Sequence, residues 1–169
     1  MKRAGNTASD AGSALKCELA AEVLRSFGTL RFEATGWSML PTVWPGDTLV
    51  VERVNHDQVQ IGDVVLVGGE GRLRAHRVVF VAEDSGCRRW ITRGDAMPAP
   101  DRFGMEHELL GRVSYLIREG KRIALPPRLR LVDALIARVV SRSLIAARAL
   151  VYFHRRFLGP QAPVFPCQG

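Results

Sequence analysis

From Leu30 to Ile117 the chain reads as a succession of short apolar runs, rich in Val, Ile and aromatic residues and parted by Gly, Asp or Pro. The runs cover Leu30–Thr35, Thr48–Val54, Asp63–Val67, Leu73–Ala82, Arg88–Arg93 and Gly111–Ile117. Such side chains fit a pleated, half-buried surface, and the residues between them supply turns. Many short strands without alternating helices point to a mainly β fold, a compact sheet sandwich or a partly closed barrel. A length of 169 residues suits one domain with a full core. Residues 1–12 are small and polar and are expected to form a disordered lead. Ser13–Phe27 follows as a short helix, with Leu15, Leu19, Val23 and Leu24 on one face and Gly28 as its stop. Pro126 and Pro127 then close the unit of residues 13–125. A long basic amphipathic helix is expected over 128–158, and a loose tail over 159–169.

One loop between strands carries chemistry. Gly36 to Asp47 reads GWSMLPTVWPGD, which holds Ser38 between a glycine and a proline. An alcohol attacks a carbonyl at neutral pH only with a base beside it and N–H donors aimed at the developing oxyanion. Gly36 lets the backbone pass close to a substrate or take positive φ, and the N–H of Ser38 itself is a candidate oxyanion donor. Met39 and Leu40 give the loop an apolar floor, where hydrogen bonds to charge are stronger. Downstream, Arg74–Val79 reads RAHRVV and places His76 within a strand. A neutral imidazole takes a serine proton and returns it to the leaving amine. TRGDAMPAPD, residues 92–101, adds Asp95 and Asp101 around a turn. Asp101 is the expected partner for the second ring nitrogen and Asp95 the alternative. Asp47 and Asp63 follow glycines and read as turn formers, while His56, His107 and His154 read as surface or packing residues. Cys17, Cys87 and Cys167 stand alone, without the spacing of a metal site or a disulfide framework, so no metal or cofactor is expected.

The order SMLPT, PGD, IGDVVLV, AHRVV, TRGDA and a later aspartate resembles the signal peptidase I superfamily, in its archaeal and endoplasmic-reticulum branch. The likeness covers residues 31–125. That branch uses a serine and a histidine, whereas the bacterial branch and the self-cleaving SOS-repressor proteases use a lysine. Here Lys2, Lys16 and Lys121 all fall away from the position of that lysine. The resemblance implies a β-rich peptidase fold and a serine endopeptidase that cuts a peptide or protein precursor, with a preference for small residues before the cut. It makes Ser38 the nucleophile, His76 the base, Asp95 the aspartate of the GD turn and Asp101 the aspartate that orients the histidine, with Gly36 and Met39 at the substrate and oxyanion side. The branch often has asparagines after GD, and this chain has Ala96 and Met97 instead. The alternatives are a non-catalytic relative that binds peptides, or a membrane-surface or nucleic-acid binder acting through the basic helix.

The formal charge of +7 is unevenly spread. Residues 118–169 hold ten Lys and Arg against two acids, while residues 1–117 hold fourteen against fifteen. No recognition motif or aromatic stacking pattern accompanies the basic excess, so nucleic acid is not an expected partner. In the tail, Val132, Leu135, Ile136, Val139, Val140, Leu150, Phe153 and Phe157 gather on one helical side. Arg130, Arg138, Arg142, Arg148, Arg155 and Arg156 gather on the other. Such a helix lies on an anionic membrane surface or packs its apolar face on protein. It is not expected to span a bilayer. Its apolar residues contribute about −5 kcal/mol on the insertion scale, while each buried charge costs up to about 3 kcal/mol. The opening residues offer no anchor, so a cytoplasmic location is expected, with peripheral contact at the inner face of the membrane.

Overall fold

A computed structural model describes residues 7–69, 71–84, 87–104, 106–129, 131–142 and Tyr152. Helix α1 (Thr7–Phe27) leads into β1 (Thr29–Glu33), β2 (Thr48–Glu52), β3 (Val64–Gly69), β4 (Arg72–Asp84) and β5 (Cys87–Arg93). After these come β6 (Phe103–Gly104), β7 (Leu109–Arg118), β8 (Lys121–Ile123) and helix α2 (Leu131–Arg142). Each of the six expected strands is present, with ends shifted by a residue or two. The two shortest, β6 and β8, were not foreseen, because two or three residues carry no readable period.

All eight strands belong to one antiparallel sheet, in the order β1-β2-β7-β3-β4-β5-β6 with β8 on β7. The sheet is open, where a sandwich or a partly closed barrel was expected. Strand β7 explains how one sheet serves, because it joins the two halves. It pairs with β2 along one flank, while Leu109–Arg112 pair with β3 and Leu116–Arg118 with β8. Register shifts at Val50/Val51, Leu66/Val67 and Val78/Phe80 bend the strands, as bulges do. The run VVLV at 64–67 is apolar without alternation because both of its faces are covered. Val64 and Leu66 join a core with Leu24, Leu49, Val51 and Leu116. Val65 turns the other way onto Val59, Val78 and Trp90.

Helix α1 starts at Thr7, inside the stretch expected to be disordered, which is in keeping with the helix propensity of Ala8, Ala11 and Ala14. Residues 1–6 lie outside the described residues. Gly28 ends the helix as expected, at φ +71 with its N–H donating to Leu24 O. The buried face differs from the expected one. Ala20 and Leu24 pack inward, while Leu15 and Leu19 stay exposed.

Helix α2 splits the apolar stripe read from sequence. Ala137 and Val140 are buried and Ile136 packs beside them, against Leu40, Trp44 and Ala96. Leu135 and Val139 are exposed. At 100° per residue, the first three centre about 130° around the helix from the last two, with Ile136 at the border between the two sides. The remainder of the expected helix 128–158, apart from Tyr152, and the tail 159–169 lie outside the described residues. Among the described residues no helix is long and apolar enough to cross a membrane.

Gly111 sits at the crossing of these strands. A Cβ there would stand 2.5 Å from Glu52 O and 2.8 Å from a methyl of Val51. Backbone in mid-sheet cannot yield without breaking the ladder. Gly111→Ala should therefore lower stability by about 1–3 kcal/mol, read by urea or thermal unfolding. An unchanged midpoint would mean that β2 is free to move away from β7.

Candidate active site

The Ser38 loop joins β1 to β2 and is closed at its base by two backbone bonds, Ala34 N–H to Asp47 O and Gly46 N–H to Ala34 O. Inside it, Leu40 N–H donates to Trp37 O and Val43 N–H to Met39 O, and the Leu40–Pro41 peptide is cis. Asp47 braces the loop from within by accepting from Trp44 N–H at 2.7 Å. Arg118 at the end of β7 grips the same carboxylate with two bonds, at 2.8 and 2.6 Å, and also reaches Thr42 O. Sequence marks Asp47 as a turn former, which it is, but the arginine comes from 71 residues away.

Strand β4 brings the histidine. His76 pairs across from Val65 of β3 and is buried, with 7% of its side chain exposed. Its Nε2 lies 3.0 Å from Ser38 Oγ, and its Nδ1 lies 2.6 Å from Asp101 Oδ2. Asp101 is set by strand β5. Its N–H donates to Thr92 O, and the Thr92 hydroxyl donates to Asp101 Oδ2 at 2.6 Å. Burial by itself raises the Asp101 carboxyl, but the hydrogen bonds from His76 and Thr92, with the charges of His76 and Arg74, outweigh it and hold the group below its ordinary value. Ser38, His76 and Asp101 thus form one hydrogen-bonded chain, drawn from a loop, a strand and a turn. A carboxylate on Nδ1 keeps the proton there and leaves Nε2 to accept from the hydroxyl.

Asp95 does not join that chain. Its carboxylate takes Arg77 Nε at 2.8 Å and Nη2 at 2.9 Å, and also the Thr42 hydroxyl at 2.6 Å. Arg77 and Asp95 are both buried, with 7% and 3% of their side chains exposed. Its bonds go to Arg77 and Thr42, while the imidazole takes Asp101, so Asp95 serves as a brace rather than as the partner of His76. The turn still touches Ser38. Ala96 N–H donates to Ser38 O at 2.8 Å, and a Cβ on Gly94 would lie 2.6 Å from that oxygen. Only glycine allows this approach.

Gly36 is exposed, does not take positive φ, and has no atom within 4 Å of where a Cβ would lie. It lines an apolar cleft of about 210 Å³ beside Ser38, walled by Phe32, Ala34, Met39, Leu49 and Leu73. Met39 is buried there and belongs to the main core. Among the described residues the N–H groups of Ser38 and Met39 have no protein acceptor. Thr92 and Arg77 were missed in sequence. Their neighbours in HRV and TRGD were the available signal, since a threonine and an arginine flank the two motif residues. Among the described residues no cluster of three or more His, Cys, Asp or Glu is placed to hold a metal.

No protein-family model and no curated protein matches this chain.

The two aspartates should separate in their effects. Asp95→Ala leaves the Arg77 guanidinium buried without its counter-charge and should cost about 3 kcal/mol or more of stability. Asp101→Asn should cost less, and with a particular pH dependence. A carboxyl lowered on folding binds its proton less readily in the native state, so its stabilisation is present above the ordinary carboxylate range and is lost as pH falls through the lowered native value. The stability gap between wild type and Asp101→Asn should therefore close in acid, as measured by urea unfolding across pH. A gap that widened in acid would contradict the assignment.

Proposed function

We propose that this protein is a serine endopeptidase that cleaves a peptide or protein precursor through an acyl-enzyme. The observation that carries the reading is the chain Ser38 Oγ–His76 Nε2–Asp101, with separations of 3.0 and 2.6 Å. Ser38 attacks the scissile carbonyl while His76 Nε2 takes its proton, and Asp101 stabilises the imidazolium that forms. The N–H of Ser38, with that of Met39 beside it, is the donor offered to the oxyanion. His76 then protonates the leaving amine. A water, deprotonated by the same nitrogen, releases the acyl group. The apolar cleft beside Ser38 suits a small or aliphatic side chain ahead of the cut, in keeping with the resemblance to the serine–histidine branch of signal peptidases. Candidate precursors incubated with wild type, Ser38→Ala and His76→Ala, and followed by mass spectrometry, test this. Wild type should cut, and each variant should lose on the order of 10⁴-fold or more. Cleavage that survives His76→Ala would sink the mechanism, and a wild type that only binds peptides would favour a non-catalytic relative.

A second reading, peripheral contact with an anionic membrane, is favoured by the exposed Leu135 and Val139 beside the exposed Arg138 on α2. Full-length protein should sediment with phosphatidylserine vesicles at low salt and less so at high salt. Equal recovery in the supernatant with and without vesicles would remove this reading.

A further inference from the structure

Helix α2 does not share the main core, whose buried members come from α1, the strands and the Ser38 loop. Its buried residue Val140 instead packs in a separate cluster with Leu40 and Ala96, supported by Ile136 and Trp44. Both of its targets belong to the site. Leu40 is two residues past Ser38, and the Ala96 N–H holds the Ser38 carbonyl at 2.8 Å. Both are fully buried, so undocking α2 would open the underside of the nucleophile loop to water. The connector leading to α2 is pinned as well. Pro126 O accepts from Arg77 Nη1 at 2.6 Å, one residue past His76. Gly62 lies under Pro127 so closely that a Cβ would stand 2.6 Å from Pro127 O. Thus Pro126 and Pro127 are fastened to β4 and to the turn before β3, and Val140 to the loop of Ser38.

From this we infer that α2 is a strap that positions Ser38 against His76, with Val140 and Ile136 as positioning residues acting through Leu40 and Ala96. The inference rests on the peptidase reading for its catalytic consequence, though not for the packing. A misplacement of about 1 Å at reacting atoms costs up to about 100-fold in rate, so a slack loop lowers kcat. The cleft beside Ser38 is walled by Phe32, Met39, Leu49 and Leu73, none of which belongs to the cluster of α2, so KM is spared.

The test uses the full chain with Val140→Ala, Ile136→Ala and the conservative Val140→Ile, with Ala134→Ser and Ala134→Gln as controls at an exposed position of the same helix. Amide hydrogen exchange at Leu40, Val43 and Ala96 reads the loop. A fluorogenic peptide pool with alanine ahead of the cut reads kcat and KM. In Val140→Ala and Ile136→Ala, exchange at those three amides should quicken on the order of tenfold while β3 and β7 amides keep their protection. In the same two variants kcat should fall on the order of tenfold with KM little moved, and Val140→Ile and both controls should match wild type. Unchanged exchange at the three amides would overturn the strap, and so would a uniform loss of protection through the sheet, which would make α2 an ordinary part of the core. Loop-specific exchange in a protein whose wild type cleaves none of the peptides would instead overturn the peptidase reading, and with it the catalytic role of the strap.

Discussion

A guanidinium and a carboxylate taken out of water are tolerated only when their charges are paired and their hydrogen bonds are filled. Arg77 and Asp95 meet both conditions. Arg77 makes two bonds to Asp95 and one each to Gly62 O and Pro126 O, while Asp95 also takes the Thr42 hydroxyl. Five separate segments therefore meet at this ion pair: β4, the turn after β5, the Ser38 loop, the turn before β3 and the connector to α2. A lysine could not replace the arginine, because a point charge lacks the fork that fixes two oxygens at once. The residue beside His76 is in this way tied, through Asp95 and Thr42, to the loop that carries Ser38.

The remaining parts of the site are arranged around this brace. Asp47 and Arg118 hold the far end of the nucleophile loop, and Thr92 holds Asp101 through both backbone and side chain. Two aspartates six residues apart thus divide the labour, one as brace and one on the imidazole. What separates them is their partners: a buried guanidinium claims Asp95, and His76 and Thr92 claim Asp101. Helix α2 adds an apolar contact from the opposite side of the loop. Ser38 is therefore held by hydrogen bonds at its carbonyl, by packing beneath Leu40 and by the ion pair through Thr42.

How much of this was legible in sequence varies by element, for physical reasons. Strands with Val, Ile and turn residues at their ends declared themselves, because period and punctuation are local properties. Strands β6 and β8 did not, being too short to show a period. The face of α1 was misread: Leu15 and Leu19 are as apolar as Leu24, and only the place of the helix on the sheet decides which of them is covered. The stripe of α2 was misread in the same way. Val140 is buried and Ile136 half-buried against Leu40, Trp44 and Ala96, while Leu135 and Val139 are exposed.

The residues of the hydrogen-bonded chain, Ser38, His76 and Asp101, could be named from sequence alone, because a loop serine, a strand histidine and a turn aspartate advertise chemistry through residue type and local setting. Their mutual distances could not, nor could the choice between Asp95 and Asp101. That choice depends on Arg77 and Thr92, whose alignment comes from the pairing of β4 with β5, where Arg77 faces Arg93 and Val78 faces Thr92. Sequence determines which groups are on offer, since propensity and pattern act over a few neighbouring residues. Only the tertiary structure decides which groups meet, because strand register and the satisfaction of buried charge are settled by the whole sheet at once.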